Sequence, residues 1–143
     1  MELKVKHYTE LTTDELYELL KARNIVFVEE QKCLYQDMDD KDKDAYHVWL
    51  EEGNRVVAYL RVLAPGVSFD DCSIGRVLTI KRRQGLGTEL MKEGIRVAEE
   101  KFGAEHITIE AQLYVRDFYE KLGFVKCSEM FLDVGIPHIK MRR

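Results

Sequence analysis

The stretch Ile74-Gly-Arg-Val-Leu-Thr-Ile-Lys-Arg-Arg-Gln-Gly-Leu-Gly-Thr88 decides how this chain is read. Ser73 to Ile80 reads as a strand, and three consecutive cations and two glycines follow it. From Leu86 to Phe102 the apolar residues Leu90, Met91, Ile95, Ala98 and Phe102 then make one helical face, which Gly103 ends. A strand running through basic residues and glycines into a helix builds an anion cradle. The first N–H groups of a helix are unpaired and carry partial positive charge, and glycine lets that backbone approach phosphate oxygens closely. Arg82, Arg83, Gln84, Gly85, Leu86, Gly87 and Thr88 are placed to do this. The P-loop pattern G-x-x-x-x-G-K-[ST] is absent, and Leu90 stands where the dinucleotide fingerprint needs its third glycine. On these residues alone, an ordinary strand-to-helix turn with surface arginines is the alternative.

Working outward, residues 2 to 8 alternate as a short strand. Thr12 with Glu15 forms a capping box that opens a helix, on which Leu16, Leu19, Leu20, Arg23 and Phe27 share helical spacing. Residues 32 to 45 are polar and acidic, a loop of the length that usually has a function. The segments 46 to 52 and 55 to 64 read as strands joined at Gly53-Asn54 in a hairpin. Beyond the long helix, 106 to 111 reads as a strand, 115 to 122 as a short helix, and 124 to 130 and 136 to 141 as strands. The order β-α-β-β-β-α-β-α-β-β implies a mixed α/β fold, one sheet with helices on its faces.

The 143 residues, 45% hydrophobic and 34% charged, with no linker or repeat, fit one domain over residues 1–143. A net charge of −4 opposes binding to nucleic acid or to an anionic membrane. No apolar run approaches the ~20 residues of a membrane span, and no basic-then-apolar leader opens the chain. A cytoplasmic location is expected. The three cysteines are far apart and form no C-x-x-C pair. The aspartates at 37, 39, 40, 42 and 44 suggest a calcium loop, but counting from Asp37 puts Asp42 where glycine is needed and Val48 where glutamate is needed, so no metal is expected.

A second group of residues lies about thirty positions on: Ile109-Glu-Ala-Gln112, then Phe118-Tyr-Glu-Lys-Leu-Gly-Phe124. R-x-x-G-x-G at 82 to 87, followed by A-Q and F-Y-x-x-x-G-F, resembles the GNAT superfamily of N-acetyltransferases. The chain is similar more narrowly to the ElaA-like branch. That likeness rests on Arg23, Val26-Phe27-Val28, Glu30-Gln31, Tyr35, Asp39, Asp42, His47, Ile74-Gly-Arg-Val77 and the tail Asp133-Val-Gly-Ile-Pro-His-Ile-Lys-Met141. Two positions depart from it: Leu34 where the branch usually has proline, and Arg83 where the superfamily favours glycine.

The resemblance implies a splayed sheet whose gap, between strands 73 to 80 and 106 to 111, takes the pantetheine arm of acetyl-CoA. The arm would pair with the backbone of Val77, Leu78, Thr79 and Ile80, the phosphates would meet the 82–88 turn, and Gln112, Phe118 and Tyr119 would complete the cofactor site. The Leu78 N–H is the expected donor to the thioester oxygen, and Tyr119 the expected acid for the departing thiolate. Glu30, Asp39 and His47 are the candidate bases for the acceptor amine, with water as the alternative. Arg23, Glu30, Tyr35, Asp39, His47 and Arg76 are the expected acceptor-side residues; the two arginines either bind an acidic group of the acceptor or serve as structural ion pairs. The expected activity is direct acetyl transfer to a primary amine of a small molecule or peptide, by a monomer or homodimer. A non-catalytic acyl-CoA-binding module is the rival reading.

Overall fold

A computed structural model describes residues 1–80 and 85–143, so the Arg82, Arg83 and Gln84 of the expected phosphate turn lie outside the described residues. In chain order the elements are β1 (Glu2–His7), α1 (Thr13–Arg23), β2 (Tyr46–Glu52), β3 (Arg55–Leu63), β4 (Cys72–Thr79), α2 (Leu86–Phe102), β5 (Ile107–Gln112), α3 (Arg116–Glu120), β6 (Val125–Lys126), β7 (Phe131–Asp133) and β8 (Ile136–Arg142). The strands form a single sheet in the order β1-β2-β3-β4-β5-β8-β6, with β7 also paired to β8. This is the mixed α/β architecture that the residue pattern implied.

Local chemistry accounts for the helix boundaries. The Glu15 N–H donates to Thr12 Oγ1 at 3.1 Å and the Thr12 N–H to Glu15 Oε1 at 2.9 Å, closing the capping box at the start of α1. The helix does not stop at Arg23 but continues through Asn24–Glu30 in π-helical form, carrying Val26 and Phe27 into the core. Strand alternation then sorts β3 between two layers. Ala58, Leu60 and Val62 pack toward α2, whereas Tyr59 joins Leu19, Ala22, Val26, Phe27 and Trp49 in a second cluster under α1.

The pairing that matters for function is that of β4 with β5. It is parallel and holds only at Cys72↔Ile107 and Ser73↔Thr108. Beyond Ser73 the two strands have no further register partners and the sheet opens between them. On its far side β5 pairs with β8 from Thr108↔Arg142 to Gln112↔His138.

Of the segment expected as one strand over 124 to 130, only Val125–Lys126 is strand, and a separate short strand follows it at Phe131–Asp133. After β6, the Lys140 N–H of β8 donates to Ser128 Oγ at 2.9 Å, so a side chain replaces a backbone carbonyl and the ladder breaks. Pairing resumes at β7, which turns through Val134-Gly135 into β8. The expected helix over 115 to 122 is likewise only the five residues of α3.

Candidate active site

The gap between β4 and β5 opens into a cleft of about 870 Å³. One wall is the backbone of Gly75 to Thr79; the other carries Gln112 of β5, His138 of β8 and Tyr119 of α3; Phe27, Tyr35 and Asp39 close the α1 side.

The β4 wall is irregular in a useful way. Its register with β3 runs Ala58↔Thr79 and Tyr59↔Leu78 and then jumps to Arg61↔Gly75, leaving Arg76 and Val77 outside the pairing opposite Leu60. Arg76 has a φ of +53°, the left-handed conformation that lets an extra residue bulge from a ladder. The Ile80 N–H donates to Val57 O at 2.8 Å. Antiparallel alternation therefore makes Tyr59 and Leu78 the next hydrogen-bonded pair, with the Leu78 N–H turned into β3. Leu78, the residue expected to supply the donor, is thus in register with Tyr59 on that side. Leu78 is among the cleft residues and is buried in the cluster under α1, and the backbone that escapes the ladder is that of Arg76 and Val77.

At the mouth of the cleft α2 begins. Gly85 is its N-cap with a φ of +89°, and the Glu89 N–H returns to Gly85 O at 2.9 Å, so the N–H groups of Leu86, Gly87 and Thr88 form the unpaired first turn. The Leu86 side chain is buried and only its backbone is available, whereas Gly87 lies on the cleft wall.

Tyr119 reaches the same cleft from α3, packed edge-on against Phe118 and Phe124 with ring centroids 5.0 and 6.0 Å away. Burial, reinforced by the neighbouring Tyr114, pushes its phenol up to about 12. It is therefore protonated across the physiological range and suited to giving a proton to a strong base.

The acceptor side is organised by six charges. Arg23 donates through Nε to Asp37 Oδ2 at 2.9 Å and through Nη1 to Asp42 Oδ1 at 2.7 Å. Arg61 holds both Asp39 oxygens, Nη1 to Oδ1 at 2.8 Å and Nη2 to Oδ2 at 2.7 Å, and also reaches Asp42 Oδ1 at 2.9 Å. Arg76 donates to Asp37 Oδ1 at 2.9 Å and to Asp39 Oδ2 at 3.3 Å, and its guanidinium lies 5.0 Å over the Tyr35 ring. Three cations thus meet three carboxylates, and the acidic loop is tied to the sheet. Burial would raise the Asp39 carboxyl, but the Arg61 hydrogen bonds and the Arg61 and Arg76 charges hold it far below the usual carboxylate range.

His47 sits behind this network, 1% exposed. Its Nε2 faces Asp42 O at 3.0 Å, and because a carbonyl only accepts, Nε2 carries the proton while Nδ1 accepts from Tyr59 Oη at 2.7 Å. Burial lowers its basicity. Of the expected acceptor-side residues, Tyr35, Asp39 and Arg76 line the cleft, whereas Arg23, Glu30 and His47 do not. Both arginines are ion-paired, Arg23 away from the cleft and Arg76 on its wall. The sequence pattern alone does not single out Asp37, Asp42 or Arg61 for this network, although an arginine in the middle of the apolar run of β3 signals a buried cation that must find a carboxylate.

The sequence model of a family described as "Acetyltransferase (GNAT) domain" matches residues 10–143. Protein ElaA of Escherichia coli is 34% identical over 141 residues, covering 96% of this chain and 92% of that protein. A UPF0039 protein of Schizosaccharomyces pombe is also 34% identical, over 99% of this chain and 96% of its own length. Among solved structures, an acyl-CoA N-acyltransferase from Pseudomonas aeruginosa superposes with a TM-score of 0.94 at 38% identity, covering 100% of this chain and 99% of that one. Escherichia coli ElaA superposes with a TM-score of 0.92, again over 100% and 99%.

Proposed function

This chain belongs to the GNAT acetyltransferase family, in its ElaA-like branch, and is an acyltransferase that works with acyl-CoA; from that premise we propose that it moves an acetyl group from acetyl-CoA to a primary amine of a small molecule or peptide, by direct attack within a ternary complex.

The observation that carries the reading is the departure of Arg76 and Val77 from the β3 ladder at the point where β5 has left β4. A strand edge with no neighbour on one side takes an extended pantetheine arm as a substitute strand, along Val77, Leu78, Thr79 and Ile80. We assign the donor to the thioester oxygen to the bulged backbone at Val77, in place of Leu78. Such fixed donors lower a barrier by ~3 kcal/mol, because they are already oriented when charge builds on the oxygen. The first turn of α2, together with Arg82, Arg83 and Gln84, is assigned to the pyrophosphate. Gln112 and Phe118 flank the arm, and Tyr119 returns a proton to the departing sulfur.

The test is calorimetric titration with acetyl-CoA, followed by a screen of polyamines, amino sugars, amino acid esters and peptide amines with detection of free CoA. Heat on titration and acceptor-dependent release of CoA are expected. Binding with no release across the screen would leave a non-catalytic acyl-CoA-binding module as the better description, and no heat at all would overturn both.

A further inference from the structure

The acceptor amine is an ammonium ion in neutral water and must lose a proton before it can attack. The cleft holds few groups able to take it. Asp39 has both oxygens occupied by Arg61 and Arg76. Burial raises the Cys33 thiol and the Tyr35 phenol, which keeps both protonated. Glu110 and Asp133 stand exposed on the rim. His47 and Glu30 are outside the cleft, and both nitrogens of His47 are engaged.

His138 differs from all of these. Among the described residues it is the one imidazole that lines the cleft, and it is 8% exposed. Its Nδ1 lies 2.7 Å from Ile136 O, two residues back on its own strand. A carbonyl cannot donate, so Nδ1 carries the proton and Nε2 is left with a bare lone pair. The ring is fixed by stacking on Phe131, with centroids 5.9 Å apart and planes 25° from parallel. In the sheet, His138 is paired with Gln112, the last residue of β5, where the gap to β4 has opened. Strand alternation puts it on the same face as Gln112 and opposite to Ile139 and Met141, which face the core under α2. An imidazole with a fixed tautomer, little water around it and an open nitrogen on the wall facing β4 is arranged to accept a proton.

We propose that His138 is the general base of the acetyl transfer, taking the proton of the acceptor ammonium on Nε2. The proposal rests on the acetyl-transfer reading above. One ammonium proton passes to Nε2, and the freed lone pair attacks the thioester carbon. The C–S bond breaks with its electron pair going to sulfur, and the Tyr119 phenol protonates that sulfur. The second nitrogen proton, lost as the amide forms, restores the phenol, and the imidazolium returns its proton to solvent. The balance is one acetyl amide, one thiol and one released proton.

The test uses His138→Asn, whose side-chain amide retains the donor to Ile136 O while removing the base. The best alkylamine from the acceptor screen is compared with the same amine carrying fluorines on the neighbouring carbon, which weaken its basicity so that it arrives unprotonated. Turnover of the parent amine is expected to fall by about a hundredfold, the usual size of a general-base contribution, while the fluorinated amine loses under about threefold. Acetyl-CoA affinity and melting temperature serve as folding controls, and His138→Ala rescued by added imidazole provides a second line. Unchanged turnover of the parent amine, or an equal loss with both amines in a folded variant, overturns the assignment of His138 and leaves acetyl transfer standing. A wild-type protein that binds acetyl-CoA but acetylates no amine overturns the transfer reading, and this assignment with it.

Discussion

Tyr119 and Asp42 show how single residues divide between chemistry and stability. The Tyr119 phenol has no acidic or basic partner at hydrogen-bond distance among the described residues, and burial holds its proton in place. Tyr119→Phe removes the hydroxyl and keeps the ring packing. Turnover is expected to fall by about tenfold or more with acetyl-CoA affinity retained, read by free-CoA release and calorimetry. Unchanged turnover would remove Tyr119 from the mechanism. Asp42 does the opposite kind of work. It faces Arg23 and Arg61, whose side chains are 1% and 4% exposed. Asp42→Asn leaves two buried guanidinium groups short of a charge, and a loss of about 3 kcal/mol in unfolding free energy is expected by denaturant titration. A loss no larger than that of an exposed ion pair would mean that Asp37 and Asp39 carry the network without it.

At the scale of elements, the middle and the amino-terminal end of α2 have different duties. Its middle is pressed against the sheet at Gly94, where an added Cβ would come within 3.0 Å of Leu60 and 3.3 Å of Ile74. Gly94→Leu is expected to overpack this contact by ~1–3 kcal/mol or more, beyond the ~1 kcal/mol that a helix interior gains on losing a glycine, lowering the melting temperature without changing acetyl-CoA affinity in the folded protein. At the amino-terminal end, an added Cβ at Gly85 meets nothing within 4 Å, but the φ of +89° is one that side chains rarely adopt. Gly85→Val forces this turn to rearrange and is expected to weaken acetyl-CoA binding, measured by calorimetry. Equal affinity would argue against a pyrophosphate at the first turn. The pair separates packing from binding on one helix.

For the whole molecule, acid should lower the stability in two steps. His47 is buried and held neutral, with a folded-state pKa below the ordinary value of about 6.5. The unfolded chain therefore binds that proton more readily, so the stability it contributes is full above about pH 6.5 and declines as pH falls through and below that value. Asp39 and Asp42 have carboxyls lowered by their arginines, and their contribution is full above the ordinary value of about 4 and lost below it. Thermal melts from pH 8 to pH 3 should show a first decline beginning near pH 6.5 that His47→Gln reduces, and a second below pH 4 that Asp42→Asn reduces. A melting temperature flat from pH 7 to pH 5 would contradict the burial of a neutral His47.

Much of this could be read from local sequence because the forces involved are local. The Thr12–Glu15 capping box, the Gly53-Asn54 hairpin and the strand–turn–helix order of 73 to 102 each depend on neighbours a few residues apart, and the order of motifs from Arg82 to Phe124 pointed to the family. The break at Ser128 was hidden because it needs a carbonyl's substitute opposite Lys140, twelve residues away. Residue type could place Arg23 and Arg76 near the site, but which aspartate each takes is settled across 14 and 39 residues of chain. The bulge that takes Arg76 and Val77 out of the ladder depends on a one-residue shift in register with β3, and the bare nitrogen of His138 depends on how the folded β8 backbone turns Ile136 O, two residues back, toward the ring. Composition and spacing determine which groups are available and which segments they ride on. Register, burial and pairing decide which of their lone pairs and protons are left free, because those depend on contacts between strands that the chain brings together only when it folds.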